Sequence, residues 1–189
     1  MDARLHSELV GVIRDKGLRQ FDQPVALASG ELSRDFIDGK AALARGADLQ
    51  LACRCMLDAL EGIPFDAVGG LTMGADQFAH GIAMLADARW FVVRKEPKNR
   101  GTRKLVEGSE LGPGMRVALV EDVVTTGGSI LKALDTVTEL GADVVAAVCL
   151  VDRGESAAPH FEARGIPYIA LVTYRDLEIQ PVGLSGSPA

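Results

Sequence analysis

RVALVEDVVTTGGSILKAL, residues 116–134, changes chemistry twice, from apolar to acidic and then to a turn of hydroxyls and glycines. Val117-Ala118-Leu119-Val120 is a short, uninterrupted apolar run, the pattern of a strand buried on both faces of a parallel sheet. Glu121 and Asp122 then fall at the carboxyl end of that strand, the edge of an open α/β sheet where ligands bind. Val123-Val124-Thr125-Thr126-Gly127-Gly128-Ser129 leads on into a helix over 128–140 that Gly141 closes. Backbone N–H groups and the positive end of the helix dipole therefore converge on one point, which suits a phosphate. Gly127 and Gly128 allow close backbone approach, and the hydroxyls of Thr125, Thr126 and Ser129 add donors. Alone, such a turn is most often no more than a tight turn with an N-cap. The acidic pair changes the reading, because two carboxylates repel a phosphate unless they contact hydroxyls or a divalent cation. A ribose carrying a 5′-phosphate satisfies both halves.

Composition sets the bounds. A chain of 189 residues, 48% hydrophobic, is long enough for one buried core, and none of its apolar runs approaches the roughly 20 residues of a membrane span. Residues 1–17 read as an amphipathic helix with Leu5, Leu9, Val12 and Ile13 on one side, not as a secretion signal, so the expected location is cytoplasmic. Cys53, Cys55 and Cys149 are odd in number and lack metal or disulfide spacing, which predicts buried free thiols. His6, His80 and His160 are isolated and predict no metal cluster.

Along the chain, strand and helix patterns alternate. Two short extended pieces, VALAS and FIDGK, precede a helix over about 45–61 that ends at Gly62-Ile63-Pro64. FDAVGGL reads as a strand, GADQFAHGIAMLADA as a helix and RWFVV as a strand, and a polar loop spans about 95–114. After the helix at 128–140 come the strand VVAAVCLV, a helix near 156–163 and the strand YIALV. Such alternation predicts an α/β fold, one domain with a central parallel sheet flanked by helices. The loop RKEPKNRGTRK gathers Arg94, Lys95, Lys98, Arg100, Arg103 and Lys104 in a chain whose net charge is −6. No wider basic face or interleaved aromatics accompany it, so nucleic acid is a poorer partner than a departing diphosphate, whose charge lysines and arginines neutralise.

Hydrophobic residues, two acidic residues, two more hydrophobics and then Thr-Thr-Gly-Gly resemble the phosphoribosyl-pyrophosphate signature of the type I phosphoribosyltransferases. The basic loop with its following Gly-Thr and VEG, the stretch LASGELSRDFID, the segment LVDRGES and the loop GGLTMGAD are similar to orotate phosphoribosyltransferases in particular, from about Phe21 to Asp176. That resemblance implies a small N-terminal hood over about 1–40 and a core over about 41–176. It also implies transfer of ribose 5-phosphate from phosphoribosyl pyrophosphate to orotate, in pyrimidine biosynthesis. Glu121 and Asp122 would hold the ribose hydroxyls, and Val123, Val124 and Thr125 to Ser129 would wrap the 5′-phosphate. Arg94, Lys95, Lys98 and Arg100 would meet the diphosphate, with Lys95 and Lys98 catalytic beside the acidic pair. Thr125 and Arg153 would bind orotate, Arg153 through the base's carboxylate. The family also implies Mg²⁺ held mainly by the phosphoribosyl pyrophosphate rather than by protein ligands, and a homodimer whose loop residues reach the neighbouring subunit's site.

Three positions depart from the family pattern. Leu32 stands where many members have a hood lysine, Gly74 where some have a lysine in the diphosphate-side loop, and Arg100 where the loop histidine is usual. Arg100 keeps a cation but cannot titrate near neutral pH, so a proton-donating role does not carry over. Two alternatives stand beside this reading: a transferase for another base, and a phosphoribosyl-pyrophosphate-sensing regulator without catalysis. Arg153 argues against the first, since only a carboxylated base gives it a partner. The cationic loop argues against the second.

Overall fold

Leu5, Leu9 and Ile13 recur at helical spacing, and the computed structural model, which describes residues 2–27, 29–97 and 104–183, coils them into α1 (Ala3–Val12) and a wider π-type turn over Ile13–Gly17. Asp2 caps α1, its carboxylate accepting from the N–H groups of Arg4 and Leu5. β1 (Leu18–Ala26) and β2 (Leu32–Ile37) then form an antiparallel pair of their own, followed by α2 (Gly39–Ala42) and α3 (Gly46–Ala59). The remaining elements alternate: β3 (Ala67–Leu71), α4 (Asp76–Ala86), β4 (Arg89–Val93), β5 (Val106–Gly108), β6 (Arg116–Val124), α5 (Gly128–Glu139), β7 (Asp143–Asp152), α6 (Ala158–Glu162) and β8 (Tyr168–Thr173).

The large sheet runs β5-β4-β3-β6-β7-β8, parallel throughout except for the antiparallel edge strand β5. Its side chains alternate between two cores, as a sheet covered on both faces requires. Val68, Ala118, Val120, Ala146, Val148 and Leu150 pack with Leu9 of α1, Ile13 of the π-type turn, Met56 of α3 and Phe78 and Ile82 of α4. Ala67, Val117, Leu119, Ala147 and Cys149 pack on the opposite side with Ile130, Leu134 and Val137 of α5 and Phe161 of α6. The three thiols are free and buried, as expected.

The strand order fixes where a ligand can sit. From β3 the chain crosses through α4 to β4 on one side, and from β6 it crosses through α5 to β7 on the other. A crevice opens at the carboxyl ends of two neighbouring strands whose connections leave in opposite directions. Here that switch point lies between β3 and β6, and it brings the loop after Leu71 next to Glu121 and Asp122.

Three features differ from the sequence reading, the first being that FIDGK is extended only as far as Ile37, with Gly39 and Lys40 opening α2. β5 interrupts the stretch expected to be loop, because Val106 faces Val93 across a short antiparallel ladder that adds only three residues to the sheet edge. β1 begins at Leu18, well before VALAS, although its residues are mostly exposed. Pairing with β2, not burial, holds it extended, with Leu18 opposite Ile37 and Gln20 opposite Asp35.

Candidate active site

Glu121 and Asp122 lie inside the last turns of pleat in β6, where Glu121 faces Cys149 and Val123 faces Val151 of β7. Glu121 is buried, with one carboxylate oxygen accepting from the Asp122 N–H at 3.1 Å and the other without a partner. Asp122 accepts from the Val123 N–H at 2.7 Å through Oδ1 and from Lys40 Nζ at 2.8 Å through Oδ2. Partial burial works against the charge on Lys40, but the hydrogen bond to Asp122 and the charges of Asp122, Glu121 and Asp38 outweigh it and raise the lysine pKa.

The loop after β3 closes on the same carboxylates. A Cβ added at Gly74 would lie 2.1 Å from Glu121 Oε1 and 2.6 Å from Asp122 Oδ1, so only a residue without a side chain lets this backbone approach. A lysine at this position would have no space here unless the acidic pair moved. On the other side of the pair, Gly127 takes φ 84°, a left-handed geometry that turns the chain from β6 into α5. No side chain caps α5, so its first N–H groups are left for another acceptor. A recess of about 260 Å³ lies over this turn, lined by Ser29, Glu121, residues 123–130 and their backbone.

A larger cavity of about 850 Å³ adjoins it, walled by Glu121, Asp122, Thr125, Arg94, Lys95 and Arg153 among others. Arg153 follows β7 and is 1% exposed. Its Nη1 donates to the Asp35 carbonyl at 2.9 Å, and its Nη2 donates to Ser33 Oγ at 3.2 Å and to the Gln180 carbonyl at 3.4 Å. These acceptors are neutral, and Nε is buried without one, so the guanidinium keeps its charge uncompensated at close range. Burial pulls its pKa down, opposed by the charge of Asp35.

The turn bearing Arg153 is held from both sides. Asp152 accepts from the Gly154 N–H at 2.9 Å and from the Tyr168 hydroxyl at 2.8 Å. Val182 donates its N–H to the Arg153 carbonyl at 2.8 Å, and Gly183 donates to Glu31 Oε2 of the β1–β2 connection at 2.7 Å.

Of the residues singled out in the sequence, Arg94, Lys95, Glu121, Asp122, Val123, Thr125, Ser129 and Arg153 line the larger cavity, and Val123 to Ser129 line the recess. Lys98 and Arg100 lie outside the described residues. Among the cavity's other lining residues, Lys40, Phe36 and Thr72 carried no role in the sequence reading. Lys40 sat in FIDGK, read as an extended piece, and Phe36 lay both there and in LASGELSRDFID, the stretch likened to a hood; in β2 the inward residues are Ser33, Asp35 and Ile37, which leaves Phe36 on the open face. Thr72 sits in the loop between β3 and α4 and hydrogen-bonds Asp76 at 2.8 Å. The alternation in SRDFI was a signal for Phe36, whereas nothing local marks Lys40. Leu32 is 69% exposed and is not among the cavity's lining residues.

The family model described as the phosphoribosyl transferase domain matches residues 52–167. The chain is 39% identical over 176 residues to the orotate phosphoribosyltransferase of Aquifex aeolicus, covering 90% of this chain and 96% of that protein. It is 40% identical over 175 residues to that of Sorangium cellulosum, covering 89% and 90%. The crystal structure of Mycobacterium tuberculosis orotate phosphoribosyltransferase in complex with 5-phospho-α-D-ribosyl 1-diphosphate superposes with a TM-score of 0.75 at 33% identity, over 93% of this chain and 99% of that one.

Burial, and then the neighbouring Asp122 charge, push the Glu121 carboxyl up to about 8 from its usual 4.5. Native Glu121 therefore keeps its proton through the range in which the unfolded chain has lost it. This contribution to stability is complete below about 4.5 and is lost as pH rises through about 8. We expect the thermal midpoint of the ligand-free protein to fall more steeply from about pH 5 to about pH 9 than that of Glu121→Gln. Parallel profiles in differential scanning calorimetry would contradict the buried, protonated carboxyl.

Proposed function

Because the chain belongs to the orotate phosphoribosyltransferase family, we propose that it moves the ribose 5-phosphate of 5-phospho-α-D-ribosyl 1-diphosphate onto N1 of orotate, releasing diphosphate and orotidine 5′-monophosphate for pyrimidine biosynthesis. The observation that carries this reading is Arg153, a buried guanidinium with an unpartnered Nε in the wall of the cavity that holds the acidic pair. A carboxylated base supplies what it lacks, and a planar guanidinium matches a planar carboxylate.

The bond from ribose C1 to the diphosphate oxygen breaks, the bond from C1 to orotate N1 forms, and N1 gives up its proton. As the first bond lengthens, positive charge grows on the ribose ring and negative charge on the leaving oxygens. Asp122 and Glu121 accept hydrogen bonds from the ribose hydroxyls, and the charged Asp122 sets a negative field beside the ring. Thr125, Thr126, Ser129 and the backbone of Gly127 and Gly128 donate to the 5′-phosphate, with Val123 and Val124 leading into that turn. Arg94, Lys95, Lys98 and Arg100 face the diphosphate, Lys95 and Lys98 neutralising it as it leaves. Thr125 and Arg153 orient orotate.

Among the described residues, no three His, Cys, Asp or Glu side chains gather into a metal cage. Two carboxylates beside a site for diphosphate fit Mg²⁺ held through the substrate's own oxygens. When bound it supplies countercharge to the leaving group. A cytoplasmic location belongs to the same reading, and the buried free thiols suit a reducing compartment.

A homodimer that shares the basic loop is supported by an apolar face. Met84 is 82% exposed one turn beyond His80 on α4, and the His80 ring meets Trp90 edge-on at 4.5 Å, with Trp90 itself 39% exposed.

Four experiments test these assignments. The purified protein should consume orotate, but not uracil or adenine, when mixed with 5-phospho-α-D-ribosyl 1-diphosphate and Mg²⁺. Arg153→Ala should raise KM for orotate at least about tenfold with a smaller effect on the other substrate; equal effects would mean Arg153 is misplaced. Gly74→Ala should cut turnover at least about tenfold by displacing the carboxylate ends, yet move the thermal midpoint by less than about 4 °C, since only flexible side-chain tips must shift. Full activity in that variant would refute the tight approach. Sedimentation should give a dimer that Met84→Asp converts to monomer, and a monomeric parent protein would sink the shared-loop reading.

A further inference from the structure

Lys40 reaches Asp122 across 82 residues of chain, and the backbone explains how. Asp38 caps α2 by accepting from the Ala41 N–H at 2.9 Å, which fixes the turn that carries Gly39 and Lys40. Gly39 lies against β6, since a Cβ there would touch Asp122 Cβ and Val123 Cγ2, each at 3.5 Å. Lys40 is thereby held over Asp122 with its ammonium in the wall of the larger cavity, half-exposed. The strand just before it, β2, supplies Ser33 and Asp35 to Arg153. The short β2–α2 segment therefore touches both the arginine and Asp122 of a single cavity.

Resting on the function proposed above, we propose that Lys40 is a positioning residue for the phosphorylated ribose, neutralising Asp122 in the free protein and holding Oδ2 toward the ribose hydroxyls. Its removal has two opposed effects. Asp122 Oδ2 gains a free lone pair, which favours a hydroxyl donor. The site also gains an uncompensated negative charge beside a phosphate cradle, which disfavours a ligand carrying several negative charges. A carboxylate oxygen accepts more than one donor, so ammonium and hydroxyl share Asp122 and the first effect is small. The charge effect prevails, because among the described residues Lys40 is the cation paired with Asp122.

The test is steady-state kinetics of Lys40→Ala and Lys40→Arg beside the parent protein. KM for 5-phospho-α-D-ribosyl 1-diphosphate should rise about tenfold in Lys40→Ala with kcat lowered less than about threefold, and the gap should narrow as salt is added. Lys40→Arg should restore KM. The thermal midpoint should stay with the parent, because a half-exposed ion pair adds little to stability. An unchanged KM overturns the inference, as does a rise that arginine does not rescue and salt does not reduce. If Lys40→Ala fails to fold, Lys40→Gln carries the same measurement. Should the parent protein consume no orotate at all, the functional reading fails first. Calorimetric binding of 5-phospho-α-D-ribosyl 1-diphosphate then decides on Lys40 alone, an affinity equal in parent and Lys40→Ala proteins counting against it.

Discussion

Two adjacent carboxylates at the inner end of a parallel strand carry an electrostatic cost that the surrounding elements are arranged to meet. Water cannot solvate Glu121, so it is held protonated near neutral pH and one of its oxygens is left bare. Asp122 is less enclosed, and a lysine from a distant segment sits on it. The backbone of the loop after β3 comes within reach of both because position 74 has no side chain. Each neighbour of the pair is thus constrained by what one charged carboxylate and one buried carboxylic acid allow near them: a cation, a bare backbone, or the amides at the start of α5.

The sheet's topology turns this local constraint into a cavity. β3 and β6 are neighbours whose onward helices leave to opposite sides, so no connection crosses the space above their ends. The antiparallel pair β1–β2 covers that space instead, and Arg153 is buried under it. A guanidinium with neutral acceptors and one bare nitrogen costs stability in that setting. A site built for a carboxylated ligand accounts for that cost.

Much of this was legible in the sequence, for reasons that differ by element. Val117–Val120 and the strand around Val148 declared themselves because burial on both faces demands continuous apolar runs. The turn 125–129 was legible because glycines and hydroxyls there follow from local backbone geometry. β5 was not, since three residues at a sheet edge carry too little pattern. β1 was not, because its extended form comes from pairing with β2 and its side chains face solvent. Lys40 was hidden for a similar reason: its role depends on a partner 82 residues away, and no periodicity reports such a meeting.

The segment that fastens the arginine turn lies late in the described chain. Gln180, Val182 and Gly183 contact Arg153 and the β1–β2 connection directly, through the Gln180 carbonyl and the Val182 and Gly183 amides. They follow every lining residue of the cavity in sequence. The arginine turn is therefore braced by segments from both ends of the described chain, the β2 strand near its start and residues 180–183 near its end, with the acidic strand and the phosphate turn between them in sequence.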